Sequence, residues 1–391
     1  MEDNGLMKKS RLLFLLIPMV VATPLAVDVN IPAFPSMSSV FGVNAGVMQL
    51  SLTFFMLAAG LMQLIIGPLS DQFGRKPILL LSALIFSLGI FFCATTHSIV
   101  YLLVFRVVEA MGACGLFVLS FAIVRDLFQG KESAECYAYL NGIVGFSSII
   151  GPFIGSMLDV YFGWPATFLF LFLVVFFVLF FTAIFLPETL QVGQRTLMKI
   201  NLFKTYWGIL RNTVFIRYTF VSAASFSYLY LFCSMSPYVI IRLLHIPETH
   251  YGYYFAFMGA SLFVGSFVSS RVIDKIGVKP TCVLGCVMSL IGGSIMVGWY
   301  LITGLTISNF IWPMLMIGVG GSFSMGAAVG LSMEPFGDVS GAAAGLGGSL
   351  RLMFAAFLGS ILITKNITST LPLSLSAIGF SVIGLLMIRK I

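Results

Sequence analysis

Four ionisable residues, Asp28, Arg106, Glu109 and Arg351, stand inside long apolar runs of a 391-residue chain. A charge at the centre of a bilayer costs at least about 2.5–3.5 kcal/mol on insertion scales, so each needs a buried partner or a function. Burial favours a neutral carboxyl, whereas a nearby guanidinium favours the charged one. A carboxyl that alternates between such surroundings binds and releases protons, and that is the chemistry these residue types offer. Arg106, Glu109 and Gly112 recur every three residues and therefore share one helical face, which must look inward. For Arg351 the candidate partners are Asp28, Glu109 or the carboxylate or phosphate of a ligand. For Arg106 and Glu109 a permanent structural pair and a proton-coupling role both remain open.

The elements that position these residues follow from composition. The chain is 59% hydrophobic and 9% charged, against about 25% charged in soluble domains. Apolar runs at about 12–34, 46–69, 77–96, 99–124, 134–158, 165–186, 216–241, 251–270, 281–302, 307–330, 340–364 and 370–388 are read as twelve transmembrane helices. The expected fold is an all-α polytopic membrane protein. Their length and lack of alternation argue against an outer-membrane barrel. Lys and Arg gather on one side: Lys8, Lys9 and Arg11; Arg75 and Lys76; Arg125 and Lys131; Arg195, Lys199, Lys204, Arg211 and Arg217; Arg271, Lys275 and Lys279; Arg389 and Lys390. The opposite loops hold Arg242 and Lys365. The positive-inside rule then places both termini in the cytoplasm. Net charge +7 reflects this bias and not a nucleic-acid face, so no nucleic-acid partner is expected. The six cysteines lack paired CxxC spacing and read as small apolar packers.

The longest connection divides the chain into an N-terminal half (1–190), a linker (191–214) and a C-terminal half (215–391). A repeat supports the division. Asp71-Gln72-Phe73-Gly74-Arg75-Lys76-Pro77 follows span 2, and Asp274-Lys275-Ile276-Gly277-Val278-Lys279-Pro280 follows span 8. Both read D-x-x-G-x-K-P, each after the second span of its half, as parallel six-span repeats require.

With the Gly67–Pro77 loop in view, the chain resembles the major facilitator superfamily, whose fold is two halves of six helices. Arg106-Val107-Val108-Glu109-Ala110-Met111-Gly112 is similar to that family's R-x-x-Q-G-x-G, and Gly145 with Gly151-Pro152-Phe153-Ile154-Gly155 to its antiporter motif. Asp28 with Pro32-Ala33-Phe34-Pro35, Gln49 and Gln63, Val124-Arg125-Asp126-Leu127-Phe128, Leu186-Pro187-Glu188-Thr189-Leu190 and Ser236-Pro237-Tyr238 resemble the Bcr/CflA group of drug:proton antiporters.

The resemblance implies a monomeric secondary transporter of the bacterial inner membrane. It would export a drug-like molecule, or an anionic metabolite or siderophore, by alternating access, with a proton as coupling ion and no cofactor or metal. A proton-coupled importer is the alternative within transporters. It further implies proton coupling by Asp28, Arg106 and Glu109, substrate contacts from Asp28 and Gln49, and gating by Gly67, Asp71, Gly74, Arg75 and Asp274; the aromatic run of span 7 adds Tyr228 and Tyr230, and the mid-bilayer depth of Arg351 adds that residue, as expected substrate contacts. In gating, Asp71 would meet a partner in the other half. The departures from the group's pattern are Asn30 for a usual Tyr, Glu109 and Ala110 for Gln and Gly, and Arg351 for an uncharged polar residue. A membrane-embedded enzyme lacks its residues, since no H-E-x-x-H, G-x-S-x-G or P-loop occurs. A channel or sensor lacks its charge rings or soluble domain.

Overall fold

The computed structural model describes residues 9–128, 130–190, 202–336, 340–362 and 369–389. Arg195 and Lys199 of the linker, with Lys8, Lys365 and Lys390, lie outside the described residues. Eleven helices among the described residues are long and apolar enough to cross a membrane, and a shorter apolar one, Leu12–Asp28, precedes them.

The first half contains α1 (Lys9–Asp28), α2 (Phe34–Phe41), α3 (Ala45–Phe73), α4 (Arg75–Thr95), α5 (Ile99–Leu127), α6 (Gly130–Phe162) and α7 (Pro165–Phe185). A short α8 (Leu202–Leu210) follows within the linker. The second half contains α9 (Thr213–Pro237), α10 (Glu248–Ile276), α11 (Val278–Thr303), α12 (Ile307–Met333), α13 (Ser340–Leu362) and α14 (Leu371–Arg389). Leaving aside α2 and α8, the helices alternate in direction. One face therefore collects the α3–α4 and α10–α11 turns with Arg75, Lys76, Arg271, Lys275 and Lys279; it is called here the basic face. The opposite face carries α2.

Local chemistry sets the helix ends. Asn44 caps α3 by accepting from the Val47 amide at 2.9 Å, Asn212 caps α9 through the Phe215 amide at 3.0 Å, and Thr306 and Asn309 form a reciprocal capping box on α12. The repeated loops turn at equivalent glycines: Gly74 has φ 102° and Gly277 φ 87°, a backbone region that disfavours side chains.

Span 1 is shorter than its apolar run predicts. Helix α1 stops at Asp28 and not near residue 34. Pro32 disfavours helical backbone at the residue before it, and the apolar residues beyond Asp28 form a turn and then α2.

Helix α9 is the most interior, with 83% of its most apolar window buried, against 28% for α7 and α10. Lipid is as apolar as Leu, so the lipid-facing aromatics of α7, such as Phe176 and Phe180, supply no drive to associate. Close packing and interhelical hydrogen bonds hold the bundle instead. The two halves meet along two seams, α3 with α13 and α6 with α10.

Candidate functional site

The last residue of α1 lies at this junction. Asp28 is buried, and its Oδ2 has no hydrogen-bond partner. It faces Ser148 of α6, with Cys233 of α9 and Tyr251 of α10 near enough to sense its charge. Two glycines of α6 make this approach close. A Cβ on Gly151 would stand 2.8 Å from the Asp28 Cβ, and one on Gly155 would collide with the Val29 carbonyl. Pro152 lies between them inside the helix. Gly145, by contrast, has open space where a Cβ would stand. Two glycines of the expected antiporter motif thus seat the end of α1, and the third does not.

Arg106 and Glu109 form a separate pair, although Arg106 Nε and Nη2 find no hydrogen-bond partner among the described residues. Both are fully buried, and Arg106 Nη1 donates to Glu109 Oε1 and Oε2, each at 3.0 Å, and to the Ala26 carbonyl at 3.1 Å. The guanidinium carbon lies 4.6 Å from the Phe55 ring centre and 5.9 Å from that of Phe168. The Cys93 thiol donates to Glu109 Oε2 at 3.6 Å, so this cysteine does more than pack. The sequence reading grouped Asp28, Arg106 and Glu109 as one site, but the structure pairs Arg106 with Glu109 and leaves Asp28 apart. The pair sits three residues apart on one helix, a spacing that closes it without help from α1.

A polar ladder crosses from α3 to α9. Gln49 donates to Ser234, and Thr53 Oγ1 lies 3.0 Å from the Tyr230 hydroxyl. Tyr228 does not join it. Its hydroxyl meets Ser381 at 3.1 Å on α14. Two residues on a helix are about 200° apart, so Tyr228 and Tyr230 point to different sides of α9, and of the two only Tyr230 faces α3.

Further contacts close the α2 side of the seam. Ser38 meets the Tyr238 hydroxyl at 2.6 Å, Arg242 donates to the Pro35 carbonyl at 2.7 Å, and Ser156 donates to the Glu248 carbonyl at 2.5 Å. Beside the last contact, the carboxyl groups of Asp159 and Glu248 approach each other, and Ser36 donates to Asp159 at 2.6 Å. A cavity of about 260 Å³ lined by Ser38, Asn44, Tyr238 and Arg242 lies on the α2 side, with none of Asp28, Gln49 or Tyr230 in its wall.

On the basic face the charges are tied within the first half. Asp71 pairs with Arg75 at 2.6 Å, and Arg75 also donates to Asp126 at 2.7 Å. Glu188 accepts from the Arg75 and Lys76 amides at 2.9 and 3.3 Å. The expected partner of Asp71 in the other half is therefore replaced by one on its own loop, because Gly74 folds Arg75 back within reach. Asp274 is exposed, and Val278 stands where Arg75 stands in the first repeat, so the second loop lacks this pair. Gly67 has open space at its Cβ position.

Arg351 sits at the middle of α13, half-buried, with no ion pair or hydrogen bond to a described residue. Neither Asp28 nor Glu109 reaches it. Asn30, a departure from the expected pattern, turns toward α7: it accepts from Thr167 at 2.6 Å and donates to Ala26.

Sequence reasoning missed Thr53 and Ser234, whose types carry no signal alone, and the Asp159–Glu248 contact, because Asp159 falls one residue past the apolar run assigned to span 5.

Comparison with known proteins gives a consistent result. The Major Facilitator Superfamily model matches residues 16–360. The chain is 30% identical over 336 residues to the chloramphenicol resistance protein of Pseudomonas aeruginosa, covering 84% of this chain and 77% of that one. It is 25% identical over 358 residues to the bicyclomycin resistance protein homolog of Haemophilus influenzae, covering 90% and 88%. Among solved structures, a point mutant of the nucleoside transporter NupG superposes with TM-score 0.78 at 13% identity, over 98% of this chain and 99% of that one.

Proposed function

Because the chain belongs to the Major Facilitator Superfamily, we propose that it is a proton-coupled exporter of a small organic molecule, working by alternating access between its two halves. The observation that carries this reading is Asp28, a buried carboxyl with an unpartnered oxygen at the junction where helices of both halves meet. A group so placed changes surroundings whenever the halves rock, and its proton affinity changes with them. Proton entry down the membrane potential yields about 2.3 kcal/mol per charge per 100 mV, a driving force for uphill export. Likeness to chloramphenicol and bicyclomycin resistance proteins supports a drug-like substrate.

Within this reading, residues 1–190 and 215–391 are the moving halves and 191–214 their tether. The basic face is cytoplasmic, with both termini, and the membrane is a bacterial inner membrane. Gln49 and Tyr230 contact substrate where they now contact each other's helices. Arg106 and Glu109 brace the wall behind them. The Asp71 and Arg75 pair is the resting form of a cytoplasmic latch that re-pairs across the halves when the α2 side opens. The protein works as a monomer, with a proton as its only coupling ion.

Inside-out vesicles carrying an acidified lumen test the direction of transport. Chloramphenicol added outside should accumulate in the lumen, and its addition should release luminal protons. Accumulation only in right-side-out vesicles would replace the exporter by an importer.

A further inference from the structure

Arg351 is the cation that the transport scheme above leaves without a task. It is the twelfth residue of the 23-residue α13, about 17 Å from the helix start at 1.5 Å per residue. A guanidinium cannot shed its charge, and at that depth its side chain does not reach water by snorkelling. Its direction is readable from the helix. The lipid-facing stripe of α13 holds Phe357 and Ile361, 64% and 52% exposed. Arg351 stands about 100° around the helix from that stripe, on a line with Ala344 and Leu358 at seven-residue intervals. Along this line Ala344 is exposed, Arg351 half-buried and Leu358 buried. Burial therefore rises along this line from the basic-face end of α13 past Arg351.

The helix opposite is α3. Its lipid stripe holds Phe54, Leu61 and Ile65, and Gln63 is about 200° from the last two, pointing into the bundle. The Gln63 amide lies over Gly348, one turn of α13 from Arg351, with no hydrogen bond to a described residue. Gly347 leaves Met333 and Phe215 beside the same turn. Nearer the basic face, the exposed Arg125 of α5 approaches α13 at Gly341. Two polar side chains from the two halves, Arg351 and Gln63, thus lie about one turn of α13 apart, and the guanidinium donates to no described residue.

We propose that Arg351 and the Gln63 amide form an anion subsite that binds the carboxylate of an amphipathic organic substrate entering from the basic face. A guanidinium meets a carboxylate with two parallel N–H···O bonds. A single guanidinium at this depth matches one negative charge, and the half-buried Met333 beside Gly347 offers the apolar body a contact. The subsite rests on the transporter reading for its purpose but not for its binding chemistry.

Equilibrium binding to the full chain in phosphatidylcholine nanodiscs tests it, with 2-naphthoate, 2-naphthamide and 2-naphthylmethylammonium as probes of equal size. Wild type should prefer naphthoate to the amide by about tenfold, or about 1.4 kcal/mol. Arg351→Gln should erase that preference while leaving amide binding within about twofold, and Arg351→Lys should restore part of it. Gln63→Leu should weaken naphthoate more than the amide, which keeps the test alive if Arg351→Gln does not fold. Absence of a naphthoate preference in wild type, or equal losses for all three probes in the variants, overturns the subsite. So does a preference abolished by adding phosphatidylglycerol, which would make a lipid headgroup the occupant. Export of chloramphenicol without naphthoate binding would remove the subsite and keep the exporter. Arg351-dependent binding without any transport would do the reverse.

Discussion

Replacing one member of the Arg106–Glu109 pair should destabilise the protein far more than replacing both. Each side chain is fully buried, with 3.0 Å hydrogen bonds between them. Glu109→Leu leaves a guanidinium that cannot be discharged, held only by the Ala26 carbonyl and the Phe55 and Phe168 rings. Arg106→Leu leaves a carboxylate whose remaining donor is the Cys93 thiol at 3.6 Å. Breaking a buried pair costs about 3–5 kcal/mol, whereas exchanging the whole pair for apolar residues is often neutral or stabilising by about 1–4 kcal/mol. A double-mutant cycle on Arg106→Leu and Glu109→Leu should therefore show strong coupling, with the double variant near wild type in thermal unfolding in detergent. Substrate-driven proton release by the same double variant then assigns the pair. Retained release agrees with a bracing role. Additive losses in the cycle would refute the reasoning about the pair, and a stable double variant without proton release would return Arg106 and Glu109 to the coupling machinery.

Gly151→Ala should impair transport, because its methyl group stands 2.8 Å from the Asp28 Cβ and overpacking of this kind costs about 1–3 kcal/mol; Gly145→Ala, with open space at the same atom, should transport normally, and equal effects on uptake into inside-out vesicles would contradict the packing argument. Tyr230→Phe removes the Thr53 contact across the halves and should change the apparent KM, whereas Tyr228→Phe loses contacts to Ser381 and the Ala377 carbonyl, both within its own half, and should lower unfolding temperature with KM unchanged; the opposite assignment would put Tyr228 in the site.

Much of the fold was legible because bilayer thickness dictates run length, and twelve apolar runs correspond to α1 and the eleven longer spans. The D-x-x-G-x-K-P repeat was legible for a backbone reason, since Gly74 and Gly277 both turn at positive φ. The end of α1 was not, because hydropathy alone cannot separate a helix from the apolar turn and short helix that follow Asp28. Residue types and depths singled out Asp28 and Arg351, and the structure leaves Asp28 Oδ2 and the Arg351 guanidinium without a hydrogen-bond partner among the described residues. Partners were less legible. Spacing of three residues anticipated the Arg106–Glu109 pair, but only the packing of α1 against α6 separates Asp28 from it. Tyr228 and Tyr230 were not told apart, because an aromatic-rich run shows no face when nearly all of α9 is buried.

In the proposed mechanism the Asp28 carboxyl carries the coupled proton at the junction of the halves. Its most direct test is chloramphenicol-driven proton release from acid-loaded proteoliposomes containing wild type or Asp28→Asn, with chloramphenicol binding measured on the same purified samples. The neutral amide fills the same space against Gly151 and Ser148, so the variant should fold and bind. Proton release should be abolished in Asp28→Asn while binding persists; undiminished release would remove Asp28 from the mechanism.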